Sequence, residues 1–221
     1  MRIVIAGGHG QVARHLARAA VAAGDTPVAL VRNPDHVADV EADGSVGVLL
    51  DLESASVHDV AAALVDADAV VFAAGAGPGS TAERKDTVDR GGAALLADAA
   101  TLAGVRRYVL VSSMGAGAPV PPGTDPTFTA YLEAKTASEA DLTGRDLDWT
   151  VLRPGALTDD AGTGRVRLDH EVPRGSVPRA DVAAVLVALV HEPRATGLVL
   201  ELTSGDLPVA AALAGAVERE D

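Results

Sequence analysis

The 221-residue chain has no cysteine, which excludes disulfides and thiolate-held zinc and agrees with a reducing cytoplasm. Aromatic residues make up 2% of it, so any ring that reaches a pocket carries information: Phe72, Tyr108, Phe128, Tyr131 and Trp149. Basic residues are in deficit, 18 Lys and Arg against 31 Asp and Glu for a formal net charge of −13, and no stretch concentrates them. That balance argues against nucleic acid and anionic membrane as partners. No run of about 18 apolar residues occurs; even the Ala/Val-rich segment 57–71 carries Asp59, Asp66 and Asp68. The first residues enter a strand-like run at once, leaving no room for a signal peptide. The chain therefore reads as soluble and cytoplasmic, one domain over 1–221, a monomer or homodimer.

What is present is alternation. Short β-branched runs at 2–6, 27–31, 46–50, 69–74, 107–112 and 148–152 alternate with Ala/Leu-rich stretches at 11–23, 35–41, 56–65, 81–103 and 129–144. The runs are continuously apolar, as expected of strands covered by helices on both faces. This order predicts an α/β, doubly wound parallel sheet with ligands at the carboxyl ends of its strands. A Gly-, Pro- and Asp-rich stretch at 153–178 precedes a helix at 179–191, a strand at 197–202 and a helix at 208–218. Segments 153–178 and 195–221 are expected to form a small substrate-side part within the one domain.

The stretch Ala6-Gly7-Gly8-His9-Gly10-Gln11-Val12-Ala13 fits a Gly-x-x-Gly-x-x-Ala pattern between the first strand and the first helix. Glycines there let backbone N–H groups face a phosphate, and the helix adds its positive N-terminal end. Residues 7–12 are thus expected to hold a dinucleotide pyrophosphate, His9 being a phosphate contact or a solvent-facing turn residue. The second strand ends in Arg32-Asn33 with no acid at its tip, which favours NADP(H) over NAD(H). Asp35, two residues on, keeps NAD(H) as the alternative. Asp51-Leu52 is expected beside the adenine, and Ala73-Ala74-Gly75 under the ribose and nicotinamide.

The fifth strand ends in Ser112-Ser113-Met114, and a later helix opens with Tyr131-Leu132-Glu133-Ala134-Lys135. Tyr131 and Lys135 at i and i+4 share one helix face. With a serine opposite, they would form a proton relay suited to hydride transfer at a carbonyl or alcohol carbon. The glycine loop, Leu30-Val31-Arg32-Asn33, Val109-Leu110-Val111-Ser112-Ser113, the Tyr131–Lys135 stretch and Thr150-Val151-Leu152-Arg153-Pro154-Gly155-Ala156-Leu157-Thr158 resemble the short-chain dehydrogenase/reductase superfamily over residues 1–205. The closest resemblance is to its small atypical members, the NAD(P)H-binding or NAD-dependent epimerase/dehydratase-like proteins. It implies a Rossmann fold with NADP(H) along the strand ends, Ser113 rather than Ser112 as catalytic serine, Tyr131 as acid/base and Lys135 as its partner and a ribose ligand. Pro154-Gly155 would line the nicotinamide side. The chain departs from extended members in keeping only a short C-terminal part, and among atypical members the active site is often degraded, several reductases using no tyrosine.

Residues 115–128 should border a small-molecule substrate, with Met114, Phe128 and Leu157 as its apolar contacts. The neighbours Asp169-His170-Glu171 cannot all face one ion in regular structure, and His15, His36, His58 and His191 lack ligand spacing, so no metal is expected. The resulting function is an NADP(H)-dependent oxidoreductase acting on a small carbonyl, quinone, flavin or similar substrate. The alternatives are a non-catalytic NADP(H)-binding redox sensor or regulator and, ranked below it, a nucleotide-sugar epimerase or dehydratase.

Overall fold

The computed structural model describes residues 1–77 and 79–218; the last three residues of the expected substrate-side part lie outside them. Six strands, β1 (Arg2–Ala6), β2 (Thr26–Val31), β3 (Val46–Leu49), β4 (Ala69–Phe72), β5 (Arg107–Val111) and β6 (Asp148–Pro154), are joined by helices. These are α1 (Gln11–Ala22), α2 (Val37–Ala42), α3 (Val57–Ala63), α4 (Ala82–Lys85), α5 (Gly92–Ala103) and α6 (Pro126–Thr143). Beyond them come β7 (Ala156–Thr158), β8 (Arg165–Asp169), β9 (Ser176–Pro178), α7 (Arg179–His191), β10 (Val199–Ser204), β11 (Leu207–Pro208) and α8 (Val209–Val217).

The main sheet runs β11-β8-β10-β6-β5-β4-β1-β2-β3, parallel from β10 to β3. Order reverses at β1, which lies between β2 and β4, and the topological crevice opens there at the carboxyl ends. β1 supplies side chains to both faces: Ile3 and Ile5 pack with Leu16, Leu186 and Leu213, while Val4 and Ala6 pack with Val60, Leu96 and Tyr108. Two apolar layers thus cover the sheet, which is why its strands read as unbroken Val/Ile/Ala runs.

Three stretches differ from the sequence expectation. The helix expected over 81–103 is interrupted by one π-turn, Asp86–Gly91, between α4 and α5. The 153–178 stretch is not only loop. β7 and β9 form a two-stranded parallel sheet, and β8 adds antiparallel to β10 at the edge of the main sheet. The helix expected to start at 129 starts at Pro126 instead, because Asp125 accepts the amides of Thr127 and Phe128 and proline fits the first helical position.

The glycine loop is shaped first by the protein's own backbone. Gly7 has φ +77°, and a Cβ there would lie 2.5 Å from the Ala74 Cα. A Cβ on Gly8 would lie 2.6 Å from the Ala29 side chain and 2.9 Å from its Cα. The glycines therefore let the ends of β1, β2 and β4 converge. Gly8→Ala should cost about 1–3 kcal/mol through overpacking against β2. Urea denaturation checks this, and an unchanged midpoint would mean that the convergence is loose.

Candidate dinucleotide and substrate site

At this convergence, α1 opens without a side-chain cap and with no acid in its first turn. The amides that open it are orphan donors. Gly10 N–H is already used, donating to Gly7 O at 2.8 Å, and Gly8 N–H donates to Leu30 O at 2.9 Å. Two cavities meet beside the loop, both lined by Ala73, Ala74 and Gly75.

The first, about 330 Å³, is lined by Gly7, His9, Gly10, Arg32, Asp51 and Leu52 among others. Arg32 reaches Glu53 at 3.1 Å, and Arg84 from α4 reaches the same carboxylate oxygen at 2.9 Å. Thr87 donates to its other oxygen at 3.1 Å. Two guanidiniums thus meet on one partly exposed carboxylate, an arrangement worth little in stability and open to exchange with another anion. His9 stacks on His36 with ring centroids 3.5 Å apart and bonds Asp39 at 2.8 Å. Gly8, Gln11 and Asn33 are not among the lining residues; the Asn33 side chain instead accepts the amide of Asp35.

The second cavity, about 530 Å³, is lined by Val12, Ser113, Phe128, Tyr131, Lys135, Pro154, Gly155 and Leu157 among others. Its two serines are not equivalent. Ser112 is buried and bonds the Glu139 carboxylate, which Arg153 grips with Nε at 3.0 Å and Nη2 at 2.5 Å. The Glu139 hydrogen bond raises the Arg153 guanidinium above its ordinary value against the opposing effect of burial. Ser113 makes only a 3.5 Å contact, to Met114 O. Met114 itself is not among the lining residues. Tyr131 stacks with Phe128 at 5.9 Å. Tyr108 is in the core, where its hydroxyl donates to Ala93 O and burial pushes its phenol far above the ordinary range.

Lys135 is not loose. Its ammonium donates a hydrogen bond to Val111 O at 3.1 Å and forms an ion pair with Asp89 Oδ1, also at 3.1 Å, that lacks hydrogen-bond geometry, so it keeps an uncommitted N–H. Asp89, wholly buried in the π-turn, also accepts the Ala76 amide at 3.0 Å. Sequence reasoning missed Asp89, Glu53 and Arg84. Asp89 falls four residues after Lys85 and reads as an ordinary helix-face acid until the π-turn aims it inward. Among the described residues no cluster of His, Asp and Glu could hold a metal, and no helix is long and apolar enough to cross a membrane.

An open crevice at the strand-order reversal, continuous from an arginine pair to a Ser/Tyr/Lys wall, marks a Rossmann-type, nicotinamide-cofactor class of protein. The chain belongs to the NAD(P)H-binding family, whose model matches residues 7–193. The uncharacterized sugar epimerase YhfK of Bacillus subtilis is 33% identical over 96% of this chain and 99% of its own. The oxidoreductase ylbE of Lactococcus lactis is 27% identical with a TM-score of 0.87, covering 99% of this chain and 97% of its own. ChuY, an anaerobilin reductase of Escherichia coli O157:H7, is 27% identical with a TM-score of 0.79, covering 94% and 98%.

Asp89→Asn should cost about 3–5 kcal/mol because it leaves a buried ammonium uncompensated. Lys135→Met should be similarly costly, and the double variant should cost clearly less than the sum. A double-mutant cycle by chemical denaturation measures this, and additive losses would mean that the pair is not coupled.

Proposed function

We propose that the protein is an NADP(H)-dependent reductase of a small carbonyl, quinone, flavin or similar compound, with residues 1–221 acting as one cofactor-and-substrate unit. The observation that carries this reading is the continuity of the two cavities over Ala73–Gly75. One end offers guanidiniums and the other a phenol and a hydroxyl. The residues fit the cofactor: Gly7 and Gly10 line the first cavity without side chains, and α1 opens uncapped with no acid in its first turn, as a pyrophosphate requires.

In this reading Arg32 and Arg84 exchange Glu53 for the 2′-phosphate, Asp51 and Leu52 flank the adenine, and Pro154-Gly155 borders the nicotinamide. The cofactor, when bound, supplies a hydride. Ser113 Oγ donates a hydrogen bond to the substrate oxygen, and Tyr131 passes its phenolic proton to that oxygen and recovers one from solvent. The uncommitted N–H of Lys135 holds a ribose hydroxyl while Asp89 fixes where the ammonium sits. Phe128 and Leu157 provide apolar contact.

Thermal-shift titration checks the cofactor: NADPH should stabilise more than NADH, and Arg32→Ala or Arg84→Ala should remove most of that advantage. Equal shifts in the wild type would reject the NADP(H) preference. For the chemistry, Tyr131→Phe should lower NADPH-dependent turnover about 100-fold or more. Unchanged turnover would remove the phenol from the mechanism. The other readings separate by product: tight NADPH binding without oxidation across carbonyls, quinones and flavins favours a redox-reporting protein. Sugar turnover without net NADPH consumption favours an epimerase, the activity in YhfK's name.

A further inference from the structure

The chain contains two lysines, Lys85 and Lys135, among 18 basic residues, and both line the second cavity. Lys135 is neutralised by Asp89. Arg179, also on the wall, pairs with Asp159 at 2.7 Å. Asp125 stands exposed, with Oδ1 committed to capping α6. Lys85 has only 6% of its surface exposed, and among the described residues no carboxylate or carbonyl bonds its ammonium. Its contact is the Tyr131 ring, with Nζ 5.4 Å from the centroid. The side chain is packed away from bulk solvent, so the ammonium opens on the cavity, where the ring face answers only part of its charge. A ligand entering that cavity can bring the missing negative charge.

We infer that Lys85 is the anion-recognising residue of the substrate pocket, and that the substrate is a ring-bearing molecule carrying a carboxylate. The carboxylate pairs with the Lys85 ammonium, and the apolar body lies against Phe128, Tyr131 and Leu157, three lining residues able to cover a ring. Lys85 thereby selects the substrate, and sitting beside Tyr131 it places the reducible group at the proton donor. This deepens the reductase reading and rests on it for the word substrate. The anion site itself is independent of the cofactor.

Calorimetric titration of the protein, with and without NADPH, using 2-naphthoate and 2-naphthamide as matched probes, tests it. The wild type should bind the acid roughly 10-fold or more tighter than the amide, the ratio a charge-assisted hydrogen bond supplies. Lys85→Met should bring the two probes level, and Lys85→Arg should keep the preference, which separates lost charge from lost fold. Equal affinities in the wild type, binding of neither probe, or a preference that survives Lys85→Met would overturn the assignment. A wild type that prefers the acid yet fails to bind NADPH would leave the anion site standing and remove the cofactor reading instead.

Discussion

The buried pair between Asp89 and Lys135 ties together four segments of the chain that lie on different elements. Asp89 comes from the π-turn ahead of α5, Lys135 from α6, Val111 O from the end of β5, and the Ala76 amide from the loop after β4. All four surround the second cavity. Removing two charges from water is expensive, and this geometry offsets it by giving the carboxylate both an ammonium and an amide. The π-turn is what makes it available: one extra residue in the turn rotates Asp89 toward the cavity, and such turns recur at functional sites.

Around that pair the strand ends sort their polar groups by task. Ser112 is absorbed with Glu139 and Arg153 into a buried network that joins β5, α6 and β6, so its hydroxyl is committed. Ser113 is next in sequence but points its hydroxyl at no strong partner. In the first cavity Glu53 occupies two arginines with a weak, exposed arrangement, whereas Asp89 in the second occupies its lysine with a buried one. The first is the pair that the proposed function has exchange its anion for a ligand's; the second is buried in the scaffold. Lys85 falls in neither group.

Much of the fold was legible because strands covered on both faces must be apolar throughout, so β1, β4 and β5 could be read from composition alone. Gly7 was expected from the glycine pattern, Arg32 and Ser113 at strand ends and Tyr131 on a helix face, and each lines one of the two cavities. The rest depended on tertiary context. A π-turn leaves no mark in the 3.6-residue periodicity, so Asp89 and its orientation were hidden. Arg165-Val166-Arg167-Leu168-Asp169 does alternate, with Val166 and Leu168 buried, yet five residues among glycines and prolines are too few to overrule the loop signals around them. Arg84 and Glu53 lie 31 residues apart and meet only because α4 folds back over the end of β3.

The central claim is that the converging strand ends hold a nicotinamide dinucleotide. Hydrogen–deuterium exchange with and without saturating NADPH tests it most directly, because it reads the backbone amides themselves. Protection concentrated in residues 11–13 and 74–75, with a weaker effect around Arg32 and Arg84, is the predicted pattern. Unchanged exchange in residues 11–13 would contradict the account, since those amides would then face no pyrophosphate.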